Sequence, residues 1–223
     1  MSSTQADWSR SVQYHNSFLL QTEADKAVDA AIAHSAESGL PDWAVARNEG
    51  KFLKLVARSI GAKRILEIGA LGGVSTIWMA QALPADGRIV TLELSKRCAE
   101  VAQRNYERAG VASKIRIMLG DAVDTLAGLD ASEPFDVVFI DADKTNNPTY
   151  YNEAKRLIRQ GGVIIVDNAI YHGTIADPKY KDSETVGTRE MLRLIKEDSE
   201  VDATTIGTAG EKGFDGFLYA VKL

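Results

Sequence analysis

A single cysteine, Cys98, is the whole thiol content of the 223 residues, so no internal disulfide can form and a reducing cytoplasm is the expected location. The opening MSSTQADWSR has no apolar core and does not read as a signal peptide. No apolar run is long enough to suggest a membrane span. A Lys/Arg block is missing too: 26 basic residues against 31 acidic ones leave a net charge of -5, which argues against a nucleic-acid partner. Internal repeats and low-complexity segments are absent. What is there, 45% hydrophobic and 26% charged residues, is the composition of an ordinary globular chain. Its length suits one domain with a full core better than two.

From about residue 64, short β-rich runs alternate with helical patterns. RILEI (64–68), RIVTL (88–92), KIRIM (114–118), FDVVFI (135–140) and GVIIV (162–166) are nearly continuous in apolar residues, as strands buried on both faces are. STIWMAQAL, KRCAEVAQRNYERAG and NEAKRLIRQGG between them read as helices, the last two closing on Gly110 and on Gly161-Gly162. This alternation predicts a parallel sheet covered by helices on both faces. TVGTREMLRLIKED predicts a further helix, then VDATTI and FDGFLYAVKL an antiparallel edge pair joined by a Gly-rich connection. Upstream, 17–38 and 49–60 are helical patterns separated by a turn around Pro41. The expected organisation is one domain over 1–223, with helices in 1–60 and an α/β core in 61–223.

Each candidate parallel strand finishes with an acid: Glu67, Glu93, Asp121, Asp141 and Asp167. Ligands of open α/β sheets bind outside the carboxyl ends of the strands, so the five acids are expected to share one edge. Such an edge repels a pyrophosphate and suits hydroxyls, an amine or other positive centre, or a metal ion. The turn EIGALGGVS (67–75) opens a helix after the first strand, but its G-x-x-G-G spacing is neither the dinucleotide fingerprint nor a P-loop. With Glu93 at the end of the next strand, it supplies close backbone approach and a carboxylate for ribose hydroxyls. The stretch FIDADK then crowds Asp141, Asp143 and Lys144 into four positions.

In this order and spacing, ILEIGALGGVSTIWMA, VTLE, GDA, FIDADK and VDN resemble the S-adenosylmethionine-dependent, divalent-metal-dependent O-methyltransferases, the group of the catechol and caffeoyl-CoA enzymes. The resemblance covers roughly residues 40–221. It implies a Rossmann-like class I methyltransferase fold: a seven-stranded, mainly parallel sheet with an antiparallel last strand. By position it implies that Glu67, Gly69, Ala70, Leu71 and Ser75 hold the amino-acid part of the cofactor, with Val45 contributing from the upstream turn. Glu93 would take the ribose hydroxyls, and Gly120, Asp121 and Ala122 would face the adenine. Asp141 would lie beside the methionine portion and, with Asp167 and Asn168, bind the metal. These hard oxygen ligands suit Mg²⁺ first, with Ca²⁺ or Mn²⁺ also accommodated. Lys144 matches the lysine beside the reacting hydroxyl, either as general base or as a charge that stabilises the phenolate.

The implied reaction is methyl transfer to one hydroxyl of a catechol-like small molecule, with a caffeoyl-CoA-type ester or a flavonoid as alternative acceptor. A non-catalytic S-adenosylmethionine-binding module is the alternative of another class, and a homodimer is the implied assembly. The small DADK version of the lysine loop is closer to the caffeoyl-CoA and microbial branches, and Arg47 and Glu49 stand where many relatives have Pro and Gln. No position clearly matches the acidic substrate contact of the animal catechol enzymes, although Glu211, Lys212 and Asp215 fall nearby. Trp43 is read either as a wall of the acceptor pocket or as packing beneath the N-terminal helices. His172 is read as a solvated loop residue, 177–184 as a polar loop or lid, Cys98 as packing and Asp143 as a loop carboxylate.

Overall fold

The computed structural model describes residues 3–223. Three helices come first, α1 (Gln5–Leu19), α2 (Glu23–Glu37) and α3 (Arg47–Ser59). The alternating part follows as β1 (Arg64–Ile68), α4 (Val74–Ala80), β2 (Arg88–Glu93), α5 (Lys96–Arg108), β3 (Ile115–Leu119), α6 (Ala122–Ala127), β4 (Phe135–Ile140), α7 (Asn147–Leu157) and β5 (Ile158–Val166). It closes with α8 (Ser183–Lys196), β6 (Val201–Gly210) and β7 (Gly213–Lys222). The seven strands form one sheet in the order β3-β2-β1-β4-β5-β7-β6. β1 to β5 pair in parallel, and β7 runs antiparallel to both β5 and β6, as predicted. The strand order reverses between β1 and β4, and that switch point opens a crevice at their carboxyl ends.

Period-two alternation feeds two apolar layers. On β4, Val137 and Phe139 join one layer while Val138 and Ile140 join the other; on β5, Val163 and Ile165 oppose Ile164 and Val166. Val28, Leu53, Trp78 and Tyr106 from α2 to α5 cover the first layer, and Leu126, Tyr150, Leu157 and Met191 from α6 to α8 the second. Burial of each large side chain contributes ~1.5–3 kcal/mol, so the strand ends that carry the acids sit on a stiff frame. Among the described residues no helix is long and apolar enough to cross a membrane.

Among the departures from expectation, three concern where helices begin or end. The helix expected over 17–38 is two helices, because Thr22 closes a capping box: its hydroxyl accepts from the Asp25 N–H at 3.2 Å, and the Asp25 carboxylate accepts from the Thr22 N–H at 2.9 Å. α1 itself was largely unforeseen, although Thr4 and Asp7 form the same reciprocal cap at its start. α7 stops at Leu157, short of Gly161-Gly162, because Ile158 already pairs with Phe135. The next pair in register is Val137 with Val163, so the intervening residues bulge out, with Gly161 in the left-handed region at φ 69°.

Candidate active site

A cavity of about 980 Å³ opens over the carboxyl ends of the parallel strands. Of the residues singled out from sequence, Val45, Gly69, Ala70, Leu71, Ser75, Glu93, Asp121, Ala122, Asp141, Lys144, Asp167 and Asn168 line it. Glu67 and Gly120 do not. Gly120 sits behind Asp121 and continues the ladder, its N–H donating to the Glu93 carbonyl at 3.0 Å.

Glu67 is fully buried beneath the cavity wall. Its carboxylate accepts from the hydroxyls of Ser75 at 2.6 Å, Thr91 at 2.6 Å and Thr76, which in turn lies 2.9 Å from the Tyr106 hydroxyl. It therefore fastens the start of α4 to β1 and β2 from behind. Burial raises its pKa from 4.5 to about 7, the three hydroxyls pulling part of that back and the Asp141 charge adding to it. An acid held above its unfolded value binds the extra proton in the native state, so its contribution to stability is lost as pH rises from 4.5 through about 7. Thermal melts should therefore show Glu67→Gln with a flatter decline across that window than the parent, the difference reaching a few kcal/mol on the order of 1.4 per pKa unit. Equal slopes in the two proteins would remove this assignment.

The glycine-rich turn divides by role. Gly69 faces the cavity, whereas Cβ atoms at Gly72 and Gly73 would run into Ser35 and Tyr106, so these two serve packing. Glu93 steadies the turn: Oε2 accepts from the N–H groups of Ala70 at 3.2 Å and Leu71 at 2.8 Å, and Oε1 from Ser95 at 2.8 Å. These bonds hold Leu71 at φ 48°, a backbone strain of the kind found at ligand sites. Oε1 accepts one of these bonds and so has capacity for a further donor such as a hydroxyl.

Asp141 follows β4, Asp167 follows β5, and Lys144 lies between them, 7% exposed, with its ammonium 2.8 Å from Asp141 Oδ1. Burial alone would lower the Lys144 pKa, but Asp141 and Asp167 outweigh it and hold the ammonium above its ordinary value. Burial, with the charge of Asp141, pushes the Asp167 carboxyl well above the carboxylate range, and Lys144 offsets only part. One ammonium thus faces two carboxylates, and among the described residues Asp167 finds a single hydrogen-bond donor, the N–H of Asn168 at 2.8 Å. The Asn168 amide nitrogen donates to Asp215 at 3.0 Å, which leaves its oxygen free. Among the described residues no three His, Cys, Asp or Glu side chains form a metal cluster. The donor set here is two carboxylates and an amide oxygen with surplus negative charge, and it fits a hard divalent cation.

A family model described as O-methyltransferase matches residues 21–215. The chain belongs to the S-adenosylmethionine-dependent O-methyltransferase family. Over 197 residues this enzyme is 49% identical to a catechol O-methyltransferase of Mycobacterium tuberculosis, covering 88% of its own chain and 89% of the relative. It is 43% identical over 213 residues to a catechol O-methyltransferase of Niastella koreensis, covering 95% and 96%. An O-methyltransferase from Bacillus cereus, solved in complex with SAH, superposes with a TM-score of 0.95 at 40% identity, covering 99% of this chain and 100% of that one.

At the mouth of the methyltransferase cavity, Trp43 is 76% exposed while lining the opening, so it is wall and not packing beneath the helices. Lys212 at the β6–β7 hairpin tip reaches Asp42 at 2.9 Å, closing one side with an exposed pair worth at most about 1 kcal/mol. His172 is exposed beside it and also lines the cavity. The run expected as a loop over 177–184 enters α8 at Ser183, and the segment leading into it is braced: Arg189 of α8 donates to the carbonyls of Thr174 at 3.0 Å, Ile175 at 2.8 Å, Asp177 at 2.5 Å and Tyr180 at 2.7 Å. Within that run only Glu184 lines the cavity. Asp143 accepts from the Asn146 N–H at 3.0 Å and from the Tyr150 hydroxyl at 2.5 Å, a loop brace as expected. Cys98 lines the cavity instead of serving only as packing. Sequence reasoning missed Tyr150 and Glu184 as wall residues, and gave Glu49 no role there. Their only signal was position in the first turn of a helix whose N-terminus points at the strand edge.

Proposed function

We propose that this enzyme transfers the methyl group of S-adenosylmethionine to one hydroxyl of a vicinal dihydroxy aromatic small molecule, in a reaction that depends on a divalent cation, Mg²⁺ first. The observation that carries the reading is the convergence of Asp141, Lys144, Asp167 and Asn168 on the same cavity as the 69–75 turn. Two relatives that bear the name catechol O-methyltransferase at 49% and 43% identity support the acceptor class. The strand-edge turn would hold the amino-acid end of the methyl donor, Glu93 its ribose hydroxyls, and Asp121 with Ala122 its adenine. Asp141, Asp167 and the Asn168 oxygen would hold the cation. When bound, such an ion supplies Lewis-acid stabilisation of charge on oxygen and a template for two adjacent hydroxyls. Lys144 faces the acceptor hydroxyl and governs its proton, while Trp43 walls the ring.

A mass-spectrometric methylation assay tests this on a panel of catechols, caffeoyl esters and flavonoids, with Mg²⁺, Mn²⁺, Ca²⁺ or EDTA. Catechols should gain one methyl group with metal and none in chelator, while calorimetric binding of SAH persists in EDTA. Turnover unchanged by EDTA would remove the cation from the reading. Methylation of the esters or flavonoids in preference to simple catechols would move the acceptor class.

A further inference from the structure

Asp215 lies on β7, 47 residues from Asn168, and its carboxylate makes three hydrogen bonds. Oδ2 accepts from the Asn168 side-chain amide at 3.0 Å; Oδ1 accepts from the Tyr171 N–H at 2.7 Å and the Gly216 N–H at 2.8 Å. An ionised carboxylate only accepts, so this pairing admits one orientation of the Asn168 amide: NH₂ toward Asp215, oxygen away from it. The reversed amide would set oxygen against oxygen and leave the NH₂, in place of the oxygen, on the side away from Asp215. The backbone needs the same anchor. Asn168, Tyr171 and His172 are non-glycine residues in the left-handed region, at φ 56°, 47° and 56°, and the Tyr171 N–H bond closes that turn onto the residue that holds Asn168.

We propose that Asp215 is a positioning residue that selects the oxygen of the Asn168 amide as the group offered to a divalent cation. The inference rests on the cation reading given above. It gives Asp215 a holding role: three of the lone-pair sites of its carboxylate are taken by Asn168, Tyr171 and Gly216.

The test is Mn²⁺ binding, followed by electron paramagnetic resonance in the presence of SAH. Asp215→Asn keeps one oxygen for the two backbone donors and places an NH₂ against the Asn168 NH₂, which forces the Asn168 amide to reverse. Mn²⁺ affinity should fall about 10–100-fold, the range for partners that orient metal ligands, while SAH affinity changes less than about threefold. Adding Asn168→Asp to Asp215→Asn should restore most of the Mn²⁺ affinity, since the new carboxylate accepts from the new amide and keeps an oxygen for the ion. A parent that binds Mn²⁺ with Asp215→Asn binding it equally well overturns the role of Asp215 alone. So does a double variant that folds, binds SAH and recovers nothing. A parent that binds no Mn²⁺ overturns the cation reading and this inference with it. A measurement on the unmodified protein does not depend on either variant folding: the Asn168 side-chain amide protons should exchange slowly with solvent and stay protected when Mg²⁺ is added. Fast exchange in both conditions overturns the pairing.

Discussion

Lys144→Met is expected to lower kcat by about two to four orders of magnitude, the usual contribution of a positioned acid or base, with SAH affinity within about threefold of the parent. The lysine is buried and its nearest partner is Asp141 at 2.8 Å, so the substitution removes a charge from the corner proposed for the acceptor while methionine keeps most of the volume. What holds Lys144 protonated is the pair Asp141 and Asp167; against them stands burial, the larger single influence, which favours the neutral amine. Neutralising those carboxylates would therefore bring the amine toward a proton-accepting state. Lys144→Arg separates the two roles, because a guanidinium stays charged and cannot take a proton near neutral pH. If Lys144 accepts the proton, Lys144→Arg should be as slow as Lys144→Met and both should lose the acidic limb of the kcat against pH profile. If it acts by charge, Lys144→Arg should retain more rate than Lys144→Met. Full activity in Lys144→Met would leave it without a catalytic role.

The places of Asp141 and Asp167 at the sheet edge were legible because the central strands are buried on both faces and so stand out as continuous apolar runs with a clear last residue. Asp141 comes one position after Ile140 and Asp167 one position after Val166, where the chain leaves the sheet. The same rule misplaced Glu67. β1 runs one residue past it to Ile68, and on a strand one residue of register changes the face, so Glu67 points with Ile65 into the layer under α4. The bounds 64–68 were read from the apolar pattern, but taking Glu67 as the finishing acid passed over Ile68 behind it. The three hydroxyls that satisfy Glu67 were spread over 75, 76 and 91, and nothing in their local sequence marks them as one cluster.

Other failures share a cause: the deciding partner is remote in sequence. Asp215 meets Asn168 only because β7 inserts between β5 and β6, which puts Leu218 opposite Val166. The loop over 177–184 looks free by composition, yet Arg189 satisfies four of the carbonyls around it. The end of α7 was overrun because Gly161-Gly162 looks like a helix stop, whereas β4 recruits Ile158 first. By contrast, the five parallel strands, the helix closing before Gly110 and the antiparallel closing pair depended on local periodicity and turn residues, and these carried over to the structure.

Gly69→Ala should be the most damaging single methyl group in the site, and Gly61→Ala shows why. Both glycines have positive φ, 100° at Gly69 and 63° at Gly61; alanine at Gly61 meets left-handed strain of about 1–2 kcal/mol, and at Gly69, beyond that well, no less. At Gly61 nothing lies within 4 Å of the added carbon, and strain should be the whole cost, visible as a melting-temperature drop of roughly 2–4 °C per kcal/mol. At Gly69 the added carbon would stand 2.3 Å from the Asp141 carbonyl oxygen, a backbone atom. That carbonyl cannot move alone, because the Asp141 N–H donates to Ile68 at 2.8 Å and the Asp141 side chain holds Lys144. The loss should be on the order of 3 kcal/mol or more. β1 leaves the sheet into the turn proposed for the methyl donor, and β4 leaves it into the corner proposed for the acceptor oxygen. Their close crossing at Gly69 therefore sets the distance between donor and acceptor. Because a displacement of about 1 Å costs on the order of 10²-fold in rate, Gly69→Ala that remains folded should lose kcat by more than its SAH affinity. Equal melting temperatures for Gly69→Ala and Gly61→Ala, with kcat intact, would show that the crossing tolerates a Cβ and fixes nothing.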